Sequence, residues 1–355
     1  MADGGSARRI MAVPTPQIFL RFIFILGILS AAAEPGHAYE IEPRAAIHEA
    51  MTTLAEDCLD QYAGAEPYDC SGYFAEHLAY FAALDYRNPV YLNAIASRWA
   101  DDPDRMLHGA GVIRFGLVFL SCGGRVRERR GIDSVGLLCS SHHGQLLFIN
   151  AMRSGPDEPT DVTQATILDW AGFVFDAAMG RVPYDADFCE YHALRGGPAS
   201  AALLDGFGSC RNDDPQGGSS GWTVATMFTR HCANPLGGCR TARGDEARRE
   251  MRSAARGALL HLVQDSFAQG HTQRGEADTP IESRIICRPV MVYRTIERRH
   301  SDGDHLPTLD ESCLSPETRR IDDPITASAR LLWMMQERRP TADVQRYVRD
   351  RVLGS

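Results

Sequence analysis

The stretch HLVQDSFAQGH, residues 261–271, places two histidines and an aspartate close together along the chain. If it is helical, with about 3.6 residues per turn, His261 and Asp265 lie one turn apart on the same face. Gly270 favours the end of that helix just before His271. Two ligands on a helix face and a third arriving from its end are an arrangement that suits a metal ion.

Other stretches carry histidines or carboxylates that would complete such a site. They are His48 in IHEAMTTLA, Asp101 in RWADDPDR, His142 and His143 in SSHHGQLLF, and His300 and Asp304 in YRTIERRHSDGD. Histidines and carboxylates without thiolates are a ligand set typical of zinc in hydrolytic sites. These residues are therefore candidates for one shared metal centre.

Apolar residues recur at helical spacing in much of the chain, and strand-like alternation is scarce. The periodicity predicts helices over 45–62, 72–84, 90–100, 164–179, 245–269, 281–299 and 323–338. Breaks rich in glycine and proline, at 121–131, 154–161 and 211–221, predict loops. We expect one all-α multi-helix domain over 39–355, with long loops at 106–139 and 181–220 that disulfides staple and that shape the mouth of the site.

The longest predicted helix carries the first motif. It opens with acidic residues, which suits the positive end of a helix dipole. Its apolar stripe consists of Ala258, Leu259, Leu262, Val263 and Phe267. His261 and Asp265 flank this stripe, so we expect them to enter the interior from a core helix, where buried polar groups need partners.

The amino-terminal segment has the order of a secretory signal. Arg8 and Arg9 precede the apolar run at 22–33, and small residues follow up to Ala38. The run is shorter than the roughly 20 apolar residues that span a membrane. We expect a signal peptide at 1–38, cleaved after Ala38 or else after Ala33, with both Sec and twin-arginine export open. The mature chain would then be secreted or periplasmic.

Export would place the ten cysteines in an oxidising compartment, where they would pair in up to five disulfides. Cys232 with Cys239 and Cys122 with Cys139 are plausible pairs, although connectivity does not follow from sequence. No paired C-x-x-C spacing indicates a cysteine zinc site.

These motifs together make the chain resemble the zinc-dependent phospholipases C and the related secreted single-strand nucleases. The pattern H-x-x-x-D-x-x-x-x-x-H of that superfamily matches His261, Asp265 and His271, and its later H-x-x-x-[DE] matches His300 and Asp304. The nuclease-like W-A-D matches residues 99–101.

Two further features of the superfamily match less closely. The pattern [ST]-H-F is met by Ser141 and His142, with His143 where the aromatic residue is usual, so the choice between His142 and His143 stays open. An early helical histidine matches His48. The family's mature amino terminus, usually tryptophan, would here be Tyr39.

The resemblance implies an all-helical fold with three zinc ions. One zinc would be held by Asp101, His142, His261 and Asp265. Asp265 would bridge to a second, held by His48 and by the amine and carbonyl of Tyr39. His271, His300 and Asp304 would hold the third. Asp101 would also be catalytic, orienting or deprotonating a water whose pKa closely spaced zinc ions lower to about 7.

The implied activity is hydrolysis of a phosphodiester by water. We favour phospholipid at a membrane surface as the substrate, because the net charge of -9 and the lack of an evident basic, aromatic strand-binding surface disfavour nucleic acid. Single-stranded nucleic acid is the alternative substrate. A non-catalytic helical binding module that keeps the fold is the alternative from another class, and no protein partner is indicated.

Simpler interpretations apply to several polar residues. Trp99 is expected in the core, and Asp102 and Asp104 in the turn around Pro103. The histidines that match no motif are expected to be structural or on the surface; they are His77, His108, His192, His231 and His305. The G-x-S-x-G at 217–221 lacks the preceding strand of a serine hydrolase, and Thr52 stands where a zincin-like motif from His48 needs its second histidine.

Overall fold

Helices make up most of the structure, a computed structural model that describes residues 46–84, 86, 92–107, 111–127, 132, 136–210, 221–232, 238–275, 284–295, 306–315 and 319–355. These residues all lie in one compact unit, His37–Ser355. The predicted signal segment and its cleavage site fall outside the described ranges. Within those ranges, no helix is long and apolar enough to cross a membrane.

The helices follow the chain in this order: α1 Ile47–Gln61, α2 Gly72–Ala82, α3 Leu92–Ser97, α4 Gly111–Arg127, α5 Leu137–His143, α6 Thr160–Ala178, α7 Phe188–Arg195, α8 Pro198–Gly206, α9 Val224–Phe228, α10 Gly244–Asp265, α11 Pro324–Gln336 and α12 Thr341–Tyr347. Short 3-10 turns lie at Leu147–Asn150, Gly208–Cys210 and Glu311–Cys313, and a π-helical turn at Val348–Leu353. The predicted helices of α1, α2, α3, α6, α10 and α11 are confirmed.

Helix α10 is the centre of the packing. It contacts α3, α6, α9, α11, α1 and the turn Leu147–Asn150. Asp245 and Glu246 lie in its first turn, where their charges suit the helix dipole, and the whole predicted apolar stripe from Ala258 to Phe267 is buried. The helix ends at Asp265, earlier than the periodicity through residue 269 indicated. The chain then turns, and the His271 amide donates to the Ala268 carbonyl.

Gly257 lets α10 approach α3 closely. A Cβ added at Gly257 would overlap the Ala96 carbonyl group and lie 2.7 Å from the Ser97 nitrogen. Only a residue without a side chain leaves room for this contact. The close approach brings the end of α3, and the segment after it, against the half of α10 that carries His261 and Asp265.

Strands occur as short antiparallel and parallel pairs, so the fold is mainly α rather than purely α. In the described ranges, β1 (Arg230–His231) pairs with β2 (Arg240–Thr241), β3 (Thr272–Arg274) with β5 (Val290–Tyr293), and β4 (Arg284–Ile285) with β6 (Thr308–Leu309). The pairs β1–β2 and β3–β5 are antiparallel, and β4–β6 is parallel.

The helix expected over 281–299 is wrong for its described part, which contains β4 and β5. Pro289 lies between the two strands, and proline in a helix interior removes a hydrogen bond and clashes with the preceding turn. The following VMVY is rich in β-branched and aromatic side chains, which favour a strand. The partner strand, Thr272–Arg274, lies outside residues 281–299, so the periodicity of those residues alone could not reveal the pairing.

The long loops expected at 106–139 and 181–220 are also wrong over much of their length. Helix α4 runs through the glycines of the predicted loop 121–131 as far as Arg127, and α7 and α8 occupy 188–206. A Cβ at Gly123 or Gly124 would meet nothing within 4 Å, so these glycines serve no close contact and lower helix propensity only modestly. Residues 128–131 and 211–220 lie outside the described ranges.

Five disulfides staple the fold. Cys122–Cys139 and Cys232–Cys239 form as expected, and the other bonds are Cys58–Cys70, Cys189–Cys210 and Cys287–Cys313. No cysteine is free. Complete pairing fits a protein that resides in a non-reducing compartment.

Candidate metal site

Helix α10 carries two members of a buried polar cluster. His261 and Asp265, one turn apart, are both fully buried, and His261 Nε2 lies 2.9 Å from Asp265 Oδ2. A carboxylate and an imidazole at full burial require compensating charges or hydrogen bonds.

Helix α1 contributes His48 to the same point. Its Nε2 lies 3.3 Å from Asp265 Oδ1, and its ring stacks on that of His261 with centroids 3.9 Å apart. The ligand atoms of His48, His261 and Asp265 lie within 4.8 Å of one another, so this group could hold a metal ion.

Asp101 arrives on the segment that follows α3. It is buried, with Oδ1 3.5 Å from His261 Nε2 and Oδ2 4.0 Å from His48 Nε2. His142, at the end of α5, places Nε2 3.7 Å from Asp101 Oδ1. Both His142 and the adjacent His143 lie near Phe119, with ring centroids 5.5 and 5.2 Å away. Of the two adjacent histidines, His142 is the one that reaches the cluster.

His271 closes the cluster from beyond the end of α10. It is fully buried, and its Nδ1 lies 3.2 Å from Asp265 Oδ2 and in contact with the Asn150 carbonyl oxygen. The structure thus brings together His48, Asp101, His142, His261, Asp265 and His271 from segments far apart in sequence. The remaining predicted ligands, Tyr39, His300 and Asp304, lie outside the described residues.

A carbonyl oxygen orients each of three imidazoles through Nδ1. His48 Nδ1 is 2.7 Å from Gln264 Oε1, His261 Nδ1 is 2.8 Å from Ser97 O, and His142 Nδ1 is 3.0 Å from Leu138 O. A carbonyl oxygen only accepts, so Nδ1 carries a proton in each ring and Nε2 is the nitrogen that faces the cluster. Metal-ligating histidines are held in this manner.

Gln264 is itself held in place. Its amide nitrogen lies 3.1 Å from Thr52 Oγ1 on α1 and 3.3 Å from Ser328 Oγ on α11. With the NH₂ group donating to these hydroxyls, the amide oxygen faces His48.

Several buried polar atoms of the cluster have no hydrogen-bond partner in the described part of the chain. They are Asp101 Oδ1, both carboxylate oxygens of Asp265, and His261 Nε2. The short distances between them lack hydrogen-bond angles, and burying such atoms unsatisfied is costly. A cation between them would satisfy all of these atoms at once, so the donor set fits a divalent metal.

The charged groups of the cluster shift one another's pKa values. Burial raises the pKa of Asp265, but His261 and His271 outweigh it and hold this pKa well below its usual value. Burial lowers the pKa of His261, but Asp101 and Asp265 outweigh it and raise the pKa to about 9. The metal-free cluster therefore retains a proton on His261 at neutral pH, which a bound cation would displace.

Four of the residues expected to be structural or in turns have contacts that fit this expectation, whereas His108 and His305 lie outside the described residues. Trp99 is buried, and Asp102 accepts hydrogen bonds from the Met106 and Leu107 amides at 2.7 and 2.8 Å. His192 is buried beside Ser200, and His231 pairs with Glu250 at 2.8 Å.

Sequence reasoning missed the groups that orient the histidines. Gln264 had a signal, since it is a polar residue within the apolar sequence of α10 between His261 and Asp265. Ser97, Leu138 and Asn150 contribute backbone carbonyl oxygens, which every residue has, so their residue types give no signal of this role.

Comparisons of this chain with protein-family models, curated proteins and solved structures find no match. Any functional assignment therefore rests on the geometry of the cluster and on the motifs that supply it.

Proposed function

We propose that this chain is an exported zinc-dependent phosphodiester hydrolase of the phospholipase C type that acts on phospholipids. The observation that carries the proposal is the convergence of His48, Asp101, His142, His261 and Asp265 on one buried point. Three histidines with fixed Nδ1 partners and two carboxylates form a nitrogen and oxygen donor set that suits zinc.

The contacts of each residue indicate which zinc ion it would hold. Asp101, His142, His261 and Asp265 would hold one zinc ion, and Asp265, which also contacts His48 and His271, would be shared with neighbouring ions. Tyr39, His300 and Asp304 complete the three-zinc set as predictions from the motifs. Zinc at such a site lowers the pKa of a bound water to about 7 and stabilises negative charge on a phosphoryl group.

Asp101 is the residue proposed to act on the attacking water. Its carboxylate lies between the Nε2 atoms of His142, His261 and His48. Burial raises its pKa, but these histidines outweigh it and keep the pKa below its ordinary value, so the group stays ionised and accepts a hydrogen bond or a proton. Asp101 is buried, and the lower local dielectric strengthens this interaction.

The substrate assignment rests on charge. A net charge of -9 is unfavourable for a chain that must track a polyanionic strand, whereas a single phosphodiester needs only the local site. Single-stranded nucleic acid is the competing substrate, and the test below includes it.

The test combines metal analysis with two substrates. We expect purified protein to contain zinc, to hydrolyse phospholipid in mixed micelles, and to lose both properties in Asp265→Asn, which replaces the carboxylate that contacts three histidines. Asp161→Asn is the control, since Asp161 is exposed in the first turn of α6.

Three outcomes would contradict the proposal. A fully active Asp265→Asn protein would exclude the catalytic assignment. Activity on single-stranded DNA alone would reassign the substrate. A folded protein that binds no zinc after reconstitution would favour a binding module.

A further inference from the structure

Arg294 lies beside the cluster on the strand that pairs with the His271 segment. The pairing of Thr272 with Tyr293 continues by one step, since the Arg294 amide donates to the His271 carbonyl at 2.7 Å. Residues directly opposite each other in an antiparallel pair place their side chains on the same face, with Cβ atoms about 5 Å apart. Arg294 therefore shares a face with His271.

Arg153 is the next neighbour of Arg294. Its amide donates to the Arg294 carbonyl at 3.1 Å, and it follows the turn whose Asn150 carbonyl contacts His271. The backbones of two arginines thus adjoin at the His271 edge of the cluster.

Neither arginine has an ion pair with a residue that the structure describes. Both are half-buried, and in the described ranges neither has a carboxylate oxygen within ion-pair distance, while the Nε of each is buried without a hydrogen-bond acceptor. Two other buried or half-buried arginines in the described ranges are ion-paired; Arg195 lies 2.6 Å from Asp169 and Arg319 lies 3.1 Å from Asp323. Within the described ranges, two arginines whose backbones are hydrogen-bonded to each other therefore have no ion pair, in a chain whose net charge is -9.

We propose that Arg153 and Arg294 bind a second anionic group of the substrate, a phosphate monoester on the lipid head group, while the scissile phosphodiester lies at the metal cluster. The proposal rests on the proposed function. The planar guanidinium matches phosphate with paired hydrogen bonds, and a bound phosphate would satisfy the buried Nε groups. A cationic head group such as choline would instead be repelled, so the arginines would select phosphorylated over zwitterionic lipids.

The substrate pair for the test differs by one phosphate: phosphatidylinositol 4-phosphate and phosphatidylinositol, in mixed micelles. We expect wild-type kcat/KM to favour the phosphorylated lipid, and Arg294→Gln or Arg153→Gln to reduce this preference about tenfold each. Arg294→Lys, which keeps the charge but loses the paired geometry, should retain part of the preference. Arg248→Gln is the control, because Arg248 lies half-exposed near Asp245 on the first turns of α10.

Calorimetry on metal-free protein separates this inference from the proposed function. Glycerophosphoinositol 4-phosphate should bind more tightly than glycerophosphoinositol, and Arg294→Gln should remove the difference while Arg248→Gln keeps it. Equal binding of the two compounds by the wild type, or a preference that survives in Arg294→Gln and Arg153→Gln, overturns the inference.

Two further outcomes distinguish the hypotheses. If the arginine-dependent binding preference is present but zinc-loaded protein cleaves neither lipid, the anion site stands and the proposed function fails. If arginine-dependent cleavage occurs only on a single-stranded oligonucleotide, the second phosphate belongs to a nucleic-acid backbone and the head-group proposal is overturned.

Discussion

Replacing Gln264 with leucine tests whether the cluster is built to hold metal. The change keeps the approximate volume of the side chain but removes the oxygen that accepts the His48 Nδ1 proton at 2.7 Å. It also removes the amide that donates to Thr52 and Ser328. Without that acceptor, His48 gains by moving its proton to Nε2, where Asp265 Oδ1 lies 3.3 Å away. The nitrogen that faces the cluster would then no longer offer a lone pair.

The expected effect on metal affinity follows from the lost contact to His48. Removal of a group that orients a ligating histidine weakens metal binding about 10- to 100-fold, equivalent to about 1.4 to 2.7 kcal/mol. Gln264→Glu should restore tight binding, because a carboxylate still accepts from His48 while Thr52 and Ser328 donate to it through their hydroxyls. Thr52→Val is the matched control for packing, since it removes one partner of Gln264 and leaves the Gln264 to His48 contact in place.

The assay is chelator competition for zinc, with circular dichroism to confirm folding. Nitrogen NMR of the metal-free protein reports the His48 tautomer independently of any metal. If Gln264→Leu folds, binds zinc as tightly as the wild type and keeps the Nδ1 proton on His48, then the inference that Gln264 sets the ligand geometry is refuted.

Two other perturbations test the packing and the ionisation of the fold. Gly257→Ala places a methyl group on the Ala96 carbonyl, so we expect the free energy of unfolding, measured by urea denaturation, to fall by about 1 to 3 kcal/mol. Gly123→Ala is the control, because the space around its Cβ is open and the change should be neutral or stabilising. Equal denaturation midpoints for the two variants would contradict the close contact at Gly257. Burial lowers the pKa of His192 to about 3. The folded state therefore excludes a proton that the unfolded state accepts below about pH 6.5, and stability is lost as pH falls. By pH 5 the wild type should lose about 2 kcal/mol relative to His192→Asn, with the exposed His77→Gln behaving as wild type; parallel pH profiles would show that His192 is not buried in its neutral form.

Helical periodicity was sufficient for the longer helices. Helices α1, α6, α10 and α11 follow apolar stripes that the sequence displays directly. Residues 284–293 were misassigned because a short apolar run has no period that separates a buried helix from a strand, and its partner Thr272–Arg274 is specified only in three dimensions. At Gly123 and Gly124 the sequence predicted a loop where the structure has a helix, because glycines inside a helix weaken it without ending it.

The candidate ligands were accessible from sequence because residue type and spacing carry the donor atoms. His261 and Asp265 are one helical turn apart in any helix, whatever its surroundings. The choice of His142 over His143 was not accessible, because it depends on where α5 ends relative to Asp101. That Arg153 and Arg294 have no ion pair among the described residues was not accessible either, since ion pairing is a property of the folded surroundings.

The segment from Ser97 to Asp102 shows how the fold sets the geometry of the site. Ser97 supplies the carbonyl that orients His261, and Asp101 supplies the carboxylate 3.5 Å from the same ring. Asp102 fixes the segment by accepting hydrogen bonds from two backbone amides, and Gly257 permits the close approach of α3 to α10. A shift of this segment therefore changes both the orientation of a ligand and the distance to a second one. For this reason metal affinity should fall in Gly257→Ala along with stability, although Gly257 itself contributes no ligand atom.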